Sequence, residues 1–121
     1  MRFPDVDGMV RAFLKSWVSS PVHVTVPKDR PVVFVHARRN GGGATNRVLD
    51  APTVTVDCWA ATGVAAAALA EDCRTAFLHQ YMGMPLVRRV EEVTGPYSVP
   101  DPDSGSPRCR FSVRLFIRAG R

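Results

Sequence analysis

The chain has 121 residues, which is enough for one domain that buries a core without metals or disulfides. With 45% apolar and 22% charged residues, the composition excludes a long disordered chain, and the longest uncharged apolar run, 60–70, is far shorter than the roughly 20 residues of a membrane-spanning helix. The formal charge of +5 suggests nucleic acid, but the 14 arginines among the 16 basic residues are spread along the chain and also fit a GC-rich genome.

The N-terminus and the cysteines indicate the cellular compartment. The first seven residues, MRFPDVD, place acids where a secretory signal would have an apolar core, so we expect the protein in the cytoplasm of the cell that makes it. Cys58, Cys73 and Cys109 are an odd number of widely spaced cysteines at inward-facing positions of predicted elements. We therefore predict buried free thiols.

The first predicted element is an amphipathic helix. Asp5 and Asp7 lie in its first turn, where the helix dipole favours acids, and we expect its end near Ser19 or Ser20 because proline follows. Its apolar face comprises Val6, Met9, Val10, Phe13, Leu14 and Trp17.

Two strands are predicted next, over 22–26 and 32–38, with a turn at 27–31 between them. The segment 38–47 contains three consecutive glycines and predicts a flexible hairpin loop, with an assembly contact as its functional interpretation. Nucleotide binding is disfavoured there, because the segment lacks the lysine and hydroxyl residue of a P-loop and does not open a helix.

The rest of the chain is organised around a strand that leads directly into a helix. Over 53–60, apolar and polar residues alternate, with Val54, Val56, Cys58 and Ala60 on one face and Thr53, Thr55, Asp57 and Trp59 on the other. Helical spacing then begins, with Thr62 as the predicted N-cap and Gly83 as the stop.

A final hairpin is predicted from strands over 86–94 and 108–118. The phase of the first strand slips near Glu91, which predicts a bulge or an edge position. The connection 95–107 is rich in proline and glycine and is long for a hairpin loop. We expect it, like 38–47, to be mobile until assembly. The fold class predicted for 1–121 is α+β: a single two-layer domain in the order α-β-β-β-α-β-β, with a mostly antiparallel five-stranded sheet and two helices on one face.

Catalytic and metal sites find little support in the sequence. The three histidines are far apart, and no cysteine pair has the spacing of a zinc site. Cys58 and His36 lie on opposite predicted faces, which argues against a nucleophile–base pair. Glu91 and Glu92 are adjacent and would point to opposite faces, which argues against paired carboxylate chemistry. We expect no enzymatic activity, cofactor or metal.

The amino-acid sequences of several segments resemble those of a known protein family. These segments are the helix start Phe3-Pro4-Asp5-Val6, the segment 46–60 (NRVLDAPTVTVDCWA), the alanine-rich helix, and Gly95-Pro96 before the final strand. Through nearly the whole chain they resemble tail-terminator, or tail-completion, proteins of long-tailed phages, and most closely the versions in phages of actinobacteria.

The resemblance implies an assembly role. It implies an α/β protein that forms a hexameric ring in the virion at the tail–neck junction, caps the tail tube, ends its polymerisation and contacts the tail tube protein and the head-completion or stopper protein. During assembly the protein would be in the host cytoplasm. The alternative is a small basic α/β domain that binds nucleic acid. Candidate subunit or neck contacts are Arg38, Arg39, Arg47, Asp57, Trp59, Tyr97, Arg108, Arg110, Arg114 and Arg118.

Overall fold

Residues 2–120, which the computed structural model describes, follow the predicted order α-β-β-β-α-β-β. The sheet order is β1-β2-β3-β5-β4; β1 runs parallel to β2, and the other neighbours pair antiparallel. The predicted α+β fold with a mostly antiparallel five-stranded sheet is therefore confirmed. The elements are α1 (Val6–Lys15), β1 (Val22–His23), β2 (Phe34–Ala44), β3 (Leu49–Trp59), α2 (Gly63–Gln80), β4 (Val87–Ser98) and β5 (Arg108–Arg118).

The first helix is shorter than the sequence predicted. It ends at Lys15, because the backbone N–H groups of Ser16 and Trp17 bond three residues back, to Phe13 and Leu14, and so tighten the last turn. The predicted end near Ser19 or Ser20 is wrong by about one turn. Trp17 consequently leaves the buried face and is 50% exposed.

The second helix begins as predicted. The Oγ1 atom of Thr62 accepts a hydrogen bond from the backbone N–H of Ala65 at 3.1 Å, which satisfies one of the free donors of the first turn. The α-helix ends at Gln80, and a 3₁₀ turn, Tyr81–Gly83, continues to the predicted stop. The buried residues of α2 are Ala66, Leu69, Ala70, Cys73, Ala76 and Phe77.

The core lies between the two helices and one face of the sheet. Phe77 of α2 contacts Phe13 of α1 and Phe111 of β5, with ring centroids 5.6 and 6.2 Å apart. These contacts join both helices to the sheet. Cys58, Cys73 and Cys109 are buried in this layer as free thiols, as predicted.

The glycine-rich segment 38–47 is mostly strand, which corrects the predicted loop. Strand β2 continues to Ala44, and the turn to β3 occupies only 45–48. A β-bulge lies between Arg39 and Gly42. Gly42 has φ +79°, and a Cβ there would lie 2.4 Å from the carbonyl oxygen of Ala51. The glycine therefore lets the two backbones approach closely.

The connection 95–107 is also shorter than predicted, because β4 extends through Ser98. Register shifts along β4 agree with the expected irregularity, and β4 is an edge strand. The remaining turn is closed by backbone bonds from Asp101 to Ser106 and from Gly105 to Asp101. By contrast, β1 spans two residues, so the predicted strand over 22–26 is largely absent.

Candidate functional site: the open face of the sheet

The sheet face turned away from both helices is called here the open face. Alternate residues of β5 belong to the core, so the intervening residues lie on the open face. This face of β5 carries four of the chain's arginines in one row. The β5 residues on the open face are Arg108, Arg110, Ser112, Arg114, Phe116 and Arg118.

A buried carboxylate anchors the middle of this face. Asp57 of β3 lies between β2 and β5 and is 1% exposed. Its Oδ1 accepts from Nε of Arg110 at 2.6 Å, and its Oδ2 accepts from Nη2 of Arg110 and from Nη1 of Arg38, both at 3.2 Å. The three residues form the Asp57 cluster. Because one carboxylate fixes two guanidinium groups, the cluster keeps a net positive charge.

The charges in this region depend on their neighbours. The hydrogen bonds that Arg110 donates to Asp57 raise the pKa of Arg110, which therefore stays charged. Burial lowers the pKa of His36, and the nearby positive charge of Arg38 lowers it further. The Nε2 atom of His36 lies 2.8 Å from the carbonyl oxygen of Val24 and so donates to it, which leaves Nδ1, 3.4 Å from Arg38 Nη1, as an acceptor. This region is thus cationic, with a neutral imidazole beside it.

Trp59 lies at one end of the open face but is 3% exposed. Its ring stacks on Phe34 with a centroid distance of 4.2 Å and an interplanar angle of 9°. The Arg108 guanidinium lies over the indole, 5.4 Å from its centroid, and the Arg108 Nε donates to the carbonyl oxygen of Val99 at 2.8 Å. Trp59 therefore contacts its own chain, and Phe34 and Arg108 both cover its ring.

Asp101 in the turn 99–107 completes this end. Its Oδ2 accepts from Nε1 of Trp59 at 3.0 Å and also from Arg30, while its Oδ1 accepts from the backbone N–H of Asp103 at 2.9 Å. The hydrogen bond from Asp103, together with that from Trp59, lowers the pKa of Asp101 to about 2. This carboxylate joins three parts of the chain that are distant in sequence.

The ten sequence-predicted contact residues do not form one surface. The Nη1 atom of Arg39 donates to Oδ2 of Asp50 at 2.8 Å, and the backbone N–H of Arg39 donates to Asp7 of α1. Arg39 therefore lies beside the core layer. Arg47 lies exposed in the turn 45–48. Tyr97 is 44% exposed and lies on the open face of β4, in register with Arg110. The remaining residues also share the open face, where Arg38 and Arg110 are drawn together by Asp57 and where Arg114 and Arg118 are exposed.

Sequence reasoning missed Asp101, Arg30 and Phe34. The segment 101–105, Asp-Pro-Asp-Ser-Gly, carried a signal, since an aspartate whose carboxylate caps the backbone two residues later, followed by glycine, is typical of a tight turn. Gly105 has φ +70°, as that turn requires. No comparable signal marks Arg30 or Phe34, because their partners depend on the tertiary fold.

The thiols lie away from the open face. Cys58 pairs with Val35, whereas His36 pairs with Asp57, so Cys58 and His36 occupy opposite faces as predicted. A hydrogen bond with Cys73, together with burial, raises the pKa of Cys58 well above its usual value. This environment disfavours the thiolate that a nucleophilic cysteine needs.

Comparisons with known proteins add no family to this description. Neither protein-family models nor curated protein sequences match the chain. Over residues 2–120, no three or more His, Cys, Asp or Glu side chains are grouped to hold a metal ion. Within the same range, no helix combines the length and apolar character needed to cross a membrane.

Proposed function

We propose that the chain is a structural virion protein that caps the phage tail tube as a ring, ends tube polymerisation and joins the tail to the head-completion proteins. The proposal rests on the resemblance of nearly the whole chain to tail-terminator proteins. It takes the ring to be hexameric and the neighbours to be the tail tube protein and the stopper protein. The location is then the tail–neck junction of the virion, after assembly in the host cytoplasm.

The observation that carries the assembly role is the Asp57 cluster of the open face. Arg38 and Arg110 are each held by Asp57 while 28% of each side chain remains accessible. Guanidinium groups fixed in this way lose little further side-chain entropy when they meet a carboxylate, and arginine is the base best suited to bidentate pairing at interfaces. The open face therefore supports binding to an acidic protein surface.

The ionisation states support a non-catalytic role. Cys58 has a raised pKa and His36 a lowered one, which is the opposite of what a thiolate–imidazolium pair requires. The buried carboxylate of Asp57 accepts hydrogen bonds from two arginines, Arg38 and Arg110. That of Asp101 accepts hydrogen bonds from Arg30 and from the indole of Trp59. Such carboxylates hold the fold together and are poorly placed to exchange protons with a substrate.

A second candidate is single-stranded nucleic-acid binding, which one observation favours. Tyr97 is 44% exposed and lies in register with Arg110, so an aromatic ring and a guanidinium are adjacent on an accessible sheet surface. Bases stack on such rings while arginines contact the backbone. Trp59 adds nothing to this platform, because Phe34 and Arg108 cover it.

One experiment separates the two functions. The mass distribution of the purified chain is measured by mass photometry and light scattering, and the lengths of tubes grown from the cognate tail tube protein are measured by electron microscopy with and without it. Rings that bind tube ends and shorten the tubes support the proposal. A monomer that leaves tube length unchanged and shifts labelled oligonucleotides contradicts it and favours the second candidate.

A further inference from the structure

A small cleft lies on the helical side of the domain, between the end of α1 and the outer surface of α2. It encloses about 210 Å³ and is lined by Trp17, Asp72, Thr75, Ala76 and Gln80. Trp17 is 50% exposed and is supported by Phe13, with ring centroids 6.5 Å apart. The cleft is therefore lined in part by a large aromatic side chain that lies outside the core cluster.

Asp72 gives this cleft its charge. It is the one charged residue among the lining residues, it is exposed, and within residues 2–120 it forms no ion pair. Its neighbour Glu71 is instead engaged by Arg74 at 3.1 Å. A free carboxylate beside an exposed indole is complementary to a guanidinium, which can stack on the ring and pair with the oxygens.

The same chain offers such a guanidinium on its opposite side. Arg114 is exposed near the middle of the open face, in register with Thr53 and Glu91, and forms no ion pair within the described residues. It is not held by Asp57, unlike Arg110, and does not cover an aromatic ring, unlike Arg108. Arg114 is thus available to a partner.

The sheet separates these two surfaces, so they cannot meet within one copy. The helical cleft and Arg114 lie on opposite sides of a two-layer domain. A contact between them joins one side of a copy to the other side of the next, which is a head-to-tail interface. Interfaces of this kind generate closed rings when the rotation between neighbours closes.

We propose that Arg114 of one copy occupies the Trp17–Asp72 cleft of a second copy of this chain and that this contact sets the order of subunits around the ring. The proposal rests on the ring of the proposed function and specifies its interface. The guanidinium of Arg114 stacks on Trp17 and pairs with Asp72. The Asp57 cluster, on the same face, lies inside the same interface.

The test reverses the charge at Asp72 in one variant and at Arg114 in another and then mixes the two variants. D72R and R114D are made singly, and the masses of each variant, of their equimolar mixture and of wild type are compared by mass photometry at matched concentrations. D29R and R88D are the controls, since they change the same charges at exposed positions that neither line the cleft nor pair with Arg114. Circular dichroism verifies that each variant is folded.

We expect each single variant to associate at least tenfold more weakly than wild type and the mixture to recover rings. Recovery follows because Arg114 of D72R fits the cleft of R114D, while the new Asp and Arg side chains meet at the alternate contact. W17A should weaken association, and both controls should assemble as wild type does. If a reversal does not fold, D72N or R114Q replaces it and must weaken association at least tenfold.

The outcomes separate the two proposals. Wild-type rings together with rings of either single variant overturn the Arg114 contact and leave the ring intact. Loss of rings in both variants without recovery in the mixture also overturns this pairing. A wild-type chain that stays monomeric at all concentrations, alone and with tail tube protein, overturns the contact and the proposed function together.

Discussion

The indole N–H of Trp59 donates to the Asp101 carboxylate, with Nε1 and Oδ2 3.0 Å apart across 42 residues of sequence. The same carboxylate oxygen accepts from Arg30. This one buried group therefore ties the end of β3 to the turn before β5 and to the segment before β2. Removing the carboxylate leaves the indole N–H and the arginine without their shared acceptor.

The lowered pKa of Asp101 predicts an acid-dependent loss of stability. The pKa is about 2 in the folded chain against an ordinary value of 3.8, so the folded state favours the ionised form. The contribution is present above about pH 4 and is lost as the pH falls toward 2. The melting temperature of wild type should therefore fall more steeply over this window than that of D101N. Parallel pH curves for the two proteins would contradict this assignment.

The Asp57 cluster predicts that D57N destabilises the fold. The substitution leaves Arg38 and Arg110 adjacent without a counter-charge, and we expect a loss of about 1–3 kcal/mol, limited because both side chains are partly solvated. Urea unfolding measures it. D103N is the matched control, since Asp103 is 84% exposed and its nearest guanidinium nitrogen is 3.9 Å away. Equal stability of D57N and D103N would show that the cluster is not structural.

The sequence correctly predicts the elements whose apolar pattern is strong. It does not predict the segment whose structure depends on backbone geometry. The alternation over 53–60 and the helical spacing after Thr62 both correspond to observed elements, because the buried face determines the pattern. The three consecutive glycines predict a flexible loop, since they have no side chains to pack. In the structure, the close approach of Gly42 to Ala51 requires glycine within the paired strands.

The candidate site was predictable in part. The alternation of β5 placed its arginines on one face, and Asp57 was correctly assigned to that face. Sequence periodicity assigns a side chain to a face but does not reveal what covers it. Trp59 was therefore expected to be a contact residue, whereas the stacking of Phe34 and the turn that carries Asp101 bury it.

The core packing predicts the cost of emptying one helix position. Leu69 belongs to the cluster between α2 and the sheet, together with Val56 of β3. We expect L69A to lower the free energy of unfolding by about 2–5 kcal/mol. V64A in the same helix is the control, because Val64 is 84% exposed and should change little. Chemical denaturation of both variants gives the comparison, and equal values would place Leu69 outside the core.

Substitution of two adjacent glycines by alanine should have different effects on stability. In G42A the new Cβ would lie 2.4 Å from the Ala51 carbonyl oxygen at a backbone φ of +79°, so the strands must separate locally, with an expected loss of at least about 1 kcal/mol. In G43A the Cβ meets nothing within 4 Å, so we expect little change. Thermal unfolding distinguishes the two variants. A neutral G42A would mean that the bulge adapts freely.

The positive charge of the open face predicts protein assembly in preference to DNA recognition. In the proposed function, the ring that caps the tail tube surrounds the path of the genome, and DNA must slide through it. Arginines lining the lumen would hold phosphates through many contacts and slow this movement, most strongly at low salt. We therefore expect Arg110, bound to Asp57 and beside Tyr97, to serve subunit or neck contacts.

R110E tests this assignment through two measurements, assembly and duplex binding, each across a salt series. The substitution places a carboxylate against Asp57, so R110K, which keeps the charge, and thermal unfolding separate a folding defect from an interface defect. We expect R110E to weaken ring formation or tube capping, and wild type to bind duplex DNA weakly at physiological salt. If wild type instead binds duplex DNA there with a steep salt dependence, and R110E abolishes that binding while rings persist, the arginine row is a nucleic-acid surface. The salt slope decides between these outcomes, because counterion release from phosphates scales with the number of charges that contact them.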